Sequence, residues 1–90
     1  MSKELILSGK VQGVLCRNYC SQYGARMGIK GAASNLYNGT VQVLLDCDDI
    51  KANEYVKAIK ENPFRIRFYG KIADVQTADY SGAISGDYNF

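Results

Sequence analysis

The segment Gly9-Lys10-Val11-Gln12-Gly13-Val14-Leu15-Cys16-Arg17 carries the residue types and spacing best suited to chemistry in this sequence. It leaves a short apolar run, passes a turn anchored by two glycines, and enters a helical pattern with an arginine at the junction. At a helix start the first backbone N–H groups lack partners within the helix, and the helix dipole is positive there. Such an end receives anions. A guanidinium beside it can grip a phosphate or carboxylate with two parallel hydrogen bonds. An arginine at that end is otherwise unfavourable against the dipole, so its placement points to an anion between the two.

The sequence contains no histidine. That excludes Ser-His and Cys-His nucleophile pairs, phosphohistidine chemistry and the commonest zinc sites, and no metal is expected. The three cysteines, Cys16, Cys20 and Cys47, form no C-x-x-C pair and are odd in number, which favours free thiols. Cys16 and Cys20 stand one helical turn apart and read as small apolar residues on a helix face. Cys16 has a second reading as a reactive thiol, because a helix start and an arginine both favour thiolate. A net charge of +2 is too weak to imply a nucleic-acid or membrane surface. No apolar run approaches the roughly 20 residues needed to span a bilayer. Met1-Ser2-Lys3-Glu4 leads straight into a strand-like segment rather than a signal peptide, so a cytoplasmic location is expected.

The surrounding elements must position the Gly9–Arg17 segment. Leu5-Ile6-Leu7, closed by Ser8-Gly9, suits a buried strand. From Leu15 to Met27 the period is helical, with Cys16, Cys20, Tyr23 and Met27 on one face and Gly28 as the stop. Gly31 to Leu36 is a strand candidate, and Asn38-Gly39 is a strong hairpin signal. The returning strand, Thr40 to Cys47, alternates, with Val41, Val43, Leu45 and Cys47 on one side and Thr40, Gln42 and Asp46 on the other. Asp48-Asp49 caps a second helix whose apolar face is Ile50, Tyr55, Val56 and Ile59, and Pro63 ends it. Phe64 to Phe68 alternates basic and apolar residues and reads as an exposed strand or loop face. A strand follows around Lys71 to Tyr80, and after Ser81-Gly82 a last one from Ala83 to Phe90. The predicted order is βαββαβ with a terminal strand: one domain over residues 1–90, a ferredoxin-like α+β sandwich with two helices on one face of a mostly antiparallel sheet.

Read as Gly-Lys-Val-Gln-Gly-Val-x-x-Arg, residues 9–17 resemble the first signature of the acylphosphatase family. Gly31-Ala32-Ala33-Ser34-Asn35 with Leu36-Tyr37-Asn38-Gly39-Thr40-Val41 resembles the second, and the predicted topology is that family's fold. The resemblance implies hydrolysis of the carboxylic-phosphoric anhydride of small acyl phosphates by water attack on phosphorus. It implies no covalent intermediate and no cofactor. On this resemblance Arg17 and the backbone N–H groups of Gly13, Val14, Leu15, Cys16 and Arg17 hold the phosphoryl group, and Asn35 orients the water. Inorganic phosphate or sulfate would be product-like ligands, and a monomer is expected. The alternative is a domain of the same kind that binds phosphate or a partner with little turnover. Ferredoxin-like domains also recognise RNA by stacking bases on aromatic residues of the central strands. Leu5-Ile6-Leu7 and Val41-Gln42-Val43-Leu44 have no aromatics, which argues against nucleic acid.

The chain departs from the family pattern at five positions. Cys16 stands where an aromatic usually precedes the arginine, Ala32 where an aromatic usually follows the glycine, Ala33 and Ser34 where a branched apolar and a basic residue usually come next, and Cys47 where a glycine closes the second motif. Small residues at 16 and 32 predict looser packing near the site, and with it lower activity or stability than in a typical member.

Overall fold

The computed structural model describes residues 2–90. The elements are β1 (Ser2–Lys10), α1 (Cys16–Arg26), β2 (Lys30–Asn35), β3 (Val41–Asp46), α2 (Asp49–Glu61), β4 (Lys71–Tyr80) and β5 (Tyr88–Asn89). The strands make one sheet in the order β4-β1-β3-β2-β5, and its pairings are all antiparallel. With α1 and α2 packed on the sheet, the architecture is the expected ferredoxin-like α+β sandwich.

Alternation along the strands sorts the core. Leu5 and Leu7 of β1 face Val43 and Val41 of β3, and Ala33 of β2 meets Val43 from the other side. These side chains form a fully buried floor. Cys16, Tyr19, Cys20 and Tyr23 of α1 and Ala52, Tyr55 and Ile59 of α2 close over it. Three buried tyrosines need partners for their hydroxyls, and each finds one across the helices. Tyr19 donates to the Ile59 carbonyl at 2.6 Å, Tyr55 to the Cys20 carbonyl at 2.8 Å, and Tyr23 to Asn62 Oδ1 at 2.6 Å. Burial pushes the Tyr19 and Tyr55 phenols above their ordinary range, so they remain protonated donors.

Sequence patterning misplaces several side chains. Ile50, expected on the apolar face of α2, is 71% exposed, and Ala52 is buried in its stead. Ile50 lies five residues before Tyr55, about 140° around the helix, whereas residues three and seven apart share a face. Leu44 of β3 lies on the face away from the helices, yet it is buried, as is Ala32 opposite it. The Phe64–Phe68 patch is a loop, organised by Asn62, which accepts from the Ile66 N–H at 2.8 Å and donates to the Ile66 carbonyl at 2.9 Å. Within it Phe68 turns inward and stacks on Tyr19 with ring centroids 4.6 Å apart.

The terminal strand is much shorter than the predicted Ala83–Phe90. Only Tyr88 and Asn89 pair with β2, opposite Ala33 and Ala32. The Asn89 side chain bonds both the N–H and the carbonyl of Gly86 at 3.1 and 3.2 Å, which closes a tight turn before the strand. The Asp87 N–H goes to Ser34 Oγ at 3.0 Å instead of to a strand carbonyl. Beyond the strand, Gly31 and Phe90 exchange N–H···O bonds of 2.8 Å. The Phe90 ring fills space left by two glycines: a Cβ on Gly24 would lie 2.2 Å from it, and one on Gly31 2.9 Å. Residues 86–90 are thereby strapped across the edge of the sheet.

Candidate functional site

The site begins at the end of β1. Between Ser8 and Gly9 the pairing with β4 shifts by one residue, leaving Ala73 as the extra residue of a bulge. Gly9 has φ 118°, and a Cβ there would meet the Lys71 carbonyl at 2.5 Å and the Ala73 nitrogen at 2.7 Å. Only glycine fits this position, and the bend turns the chain out of the sheet towards α1. Two left-handed residues follow, Gly13 at φ 72° and Leu15 at φ 67°. Between them, the Val14 carbonyl accepts from the Tyr69 N–H at 3.1 Å. Helix α1 then starts at Cys16 with no capping side chain and no acidic residue in its first turn. Its first amides therefore lack a side-chain partner, the condition for anion binding at a helix start.

The other wall is the end of β2 and its hairpin. The turn spans Leu36 to Gly39, closed by the Gly39 N–H donating to the Leu36 carbonyl at 3.2 Å, and the Leu36 N–H donates to the Thr40 carbonyl at 2.9 Å. Tyr37 and Asn38 are thus the central pair, and the Asn-Gly signal marks a three-residue loop. Gln12 joins the two walls. Its side-chain amide donates to the Leu36 carbonyl at 2.6 Å and the Thr40 carbonyl at 2.9 Å.

Between the walls lies a cavity of about 230 Å³, lined by Gly13, Leu15, Cys16, Arg17 and Asn35, with Val11, Asn18 and Tyr88 completing it. Of the residues named from sequence, the fold brings Gly13, Leu15, Cys16, Arg17 and Asn35 together around this one space. Val14 is the exception, with its side chain buried in the core.

Sequence reasoning missed the contribution of the C-terminal strap. Asp87 Oδ2 accepts from Arg17 Nη1 at 3.1 Å and from the Asn35 backbone N–H at 3.1 Å. One carboxylate oxygen thus links the arginine to the strand end that carries Asn35. The Tyr88 ring lies over the Arg17 guanidinium with its centroid 5.2 Å from the guanidinium carbon, a cation–π contact. Asp87 engages one of the five guanidinium N–H groups, so donors remain for a second anion. Gly86-Asp87-Tyr88 looks like an ordinary turn in the sequence, and 70 residues separate Asp87 from Arg17. No local signal could have found it.

The small residue at 32 does not leave the expected slack, whereas Cys16 borders the cavity. Cys16 is 2% exposed, and its Sγ lies 3.9 Å from Cys20 Sγ. The hydrogen bond with Cys20, aided by the charge of Arg17, holds the Cys16 thiol below its ordinary range although burial opposes the shift. The Cys20 thiol is pushed up by the same bond and by burial. All three cysteines are free, as their number suggested. Above Ala32 the backbone of Gly86 passes closely: a Cβ on Gly86 would sit 3.3 Å from Ala32 Cβ. The strap fills the room that a larger residue would take.

Comparison with known proteins finds relatives over nearly the whole chain. The family model described as acylphosphatase matches residues 3–88. The acylphosphatase of Vibrio vulnificus is 36% identical over 61 residues, covering 68% of each chain. That of Lactococcus lactis is 31% identical over 90 residues, covering 96% of this chain and 93% of its own. In three dimensions the acylphosphatase of Bacillus subtilis matches with a TM-score of 0.74 at 20% identity, covering 94% of this chain and 93% of that one, a likeness of fold.

Proposed function

We propose that this chain, which belongs to the acylphosphatase family, hydrolyses the carboxylic-phosphoric anhydride bond of small acyl phosphates to carboxylate and inorganic phosphate. The observation that supports this reading most is the single cavity shared by Arg17, Asn35 and the uncapped start of α1. The phosphoryl group sits on the backbone N–H groups of Gly13 to Arg17 and takes the remaining guanidinium donors. The Asn35 side chain orients a water on the side away from the leaving group. As the water oxygen bonds to phosphorus, the bond to the acyl oxygen breaks, and the electron pair leaves with the carboxylate. The water proton passes to the phosphate product. A carboxylate is a good leaving group, so the step needs no general acid, covalent intermediate, metal or cofactor. Phosphoryl transfer of this kind rests on positioning and on stabilising charge. Inorganic phosphate or sulfate occupies the same cradle, and the enzyme works as a cytoplasmic monomer.

Benzoyl phosphate hydrolysis tests the reading. Arg17→Ala is expected to lower kcat/KM by about a thousandfold, and Asn35→Ala to lower kcat by about a hundredfold with little change in KM. Wild-type turnover no faster than buffer, or full activity in either variant, would refute it.

A further inference from the structure

Leu15 combines two features that nothing in the core explains. Its backbone is left-handed at φ 67°, a conformation that leucine disfavours and that glycine or asparagine would adopt readily. Its side chain is also 46% exposed, although it is large and apolar. If only its N–H served the cradle, a residue without this strain would do as well. Strain retained at a cavity wall points to a use for the side chain. The same cavity has a second large apolar group in the open, Tyr88, 43% exposed and held over the Arg17 guanidinium. Val11 lies behind them, buried at the cavity wall.

We propose that Leu15 and Tyr88 form an acyl-group subsite that makes the enzyme favour aromatic and bulky aliphatic acyl phosphates over acetyl phosphate. The inference rests on the phosphate cradle described above. In an acyl phosphate the acyl carbon is one bridging oxygen from phosphorus. A phosphoryl group on Arg17 therefore places the acyl substituent within the same cavity, against its apolar lining. An aryl group there covers exposed Leu15 surface and meets the Tyr88 ring, whose edge or face prefers an aromatic partner. A methyl group reaches too little of either. Leu15 thus serves through its N–H towards phosphate and through its side chain towards the acyl group.

The experiment pairs turnover with binding that needs no turnover. The kcat/KM ratio of benzoyl to acetyl phosphate is measured alongside the affinity ratio of benzylphosphonate to methylphosphonate by calorimetry. Both ratios are expected to be about ten or more in the wild type. Leu15→Asn, which accepts the left-handed backbone, should bring both to within about twofold of one, and Leu15→Gly provides the same reading should the first variant fold poorly. Tyr88→Ser should lower both ratios as well. Equal affinity for the two phosphonates in the wild type, binding of neither, or ratios unchanged in both Leu15 variants would overturn the subsite. Phosphonate discrimination with no turnover of either acyl phosphate would instead refute the hydrolase reading and leave the subsite standing.

Discussion

Two stretches of chain reach Arg17 by different means: the Gly9–Arg17 turn and the Gly86–Phe90 strap. The turn acts through consecutive backbone atoms, bent by the bulge at Gly9 and by the left-handed Gly13 and Leu15. The strap acts through side chains, with Asp87 on Arg17 Nη1 and on the Asn35 N–H, and Tyr88 over the guanidinium. What fixes the strap lies further off still, in the Phe90 ring seated on Gly24 and Gly31. The contrast separates two tasks. Recognition of an anion is local, because amides and a helix end come from neighbouring residues. Orientation of the guanidinium is set by residues remote in sequence, and in the proposed mechanism so is the share of its charge left for substrate.

Substitutions that strike one stretch and spare the other can break this division. The largest effect is expected from Gly9→Ala, which forces a Cβ to within 2.5 Å of the Lys71 carbonyl at φ 118°. Urea unfolding should show a loss of about 3 kcal/mol or more, with activity and phosphate binding lost together. A stable, active Gly9→Ala enzyme would show that the bulge does not aim the turn.

A smaller effect is expected from Gly24→Ala, whose Cβ would lie 2.2 Å from the Phe90 ring. The ring must swing aside, at a cost of about 1–2 kcal/mol. Benzoyl phosphate kcat/KM should fall about tenfold as Asp87 and Tyr88 lose their seat, while phosphate binds no more weakly than to wild type. If the two fall in step, strap and cradle are one unit and the separation of tasks is wrong.

The smallest effect belongs to Asp87→Asn, which keeps an oxygen acceptor for both N–H groups and removes only the charge. A unit charge at about 4 Å in water is worth about 1 kcal/mol, a factor of about five. Phosphate should therefore inhibit at about fivefold lower concentration, with the difference shrinking in high salt. An unchanged inhibition constant would mean that the carboxylate does not set the charge offered to substrate.

The turn was legible because its information is local. Two glycines, an arginine and the onset of a helical period occupy nine consecutive residues, and their geometry follows from backbone physics alone. The antiparallel βαββαβ layout was legible for the same reason, since alternation in β3 and the Asp48 cap of α2 are short-range signals. The strap was not. Its contacts to Arg17 and Ser34 span 70 and 53 residues, and the pattern from Ala83 to Phe90 suggested a longer strand than the two residues that pair. The expected looseness at Ala32 failed similarly, because the backbone that covers it comes from Gly86. The exposed Ile50 shows the limit of apolar identity as a guide: angular position around the helix decided burial, and alanine won.

The two hydrogen bonds of Gln12 bear on the timing of the reaction. By tying the Gly9–Arg17 turn directly to the hairpin next to Asn35, they would, in the proposed mechanism, hold the phosphate grip and the water-orienting residue in one fixed relation. On that mechanism, part of the cost of bringing nucleophile and electrophile into register would be met when the chain folds rather than at each turnover.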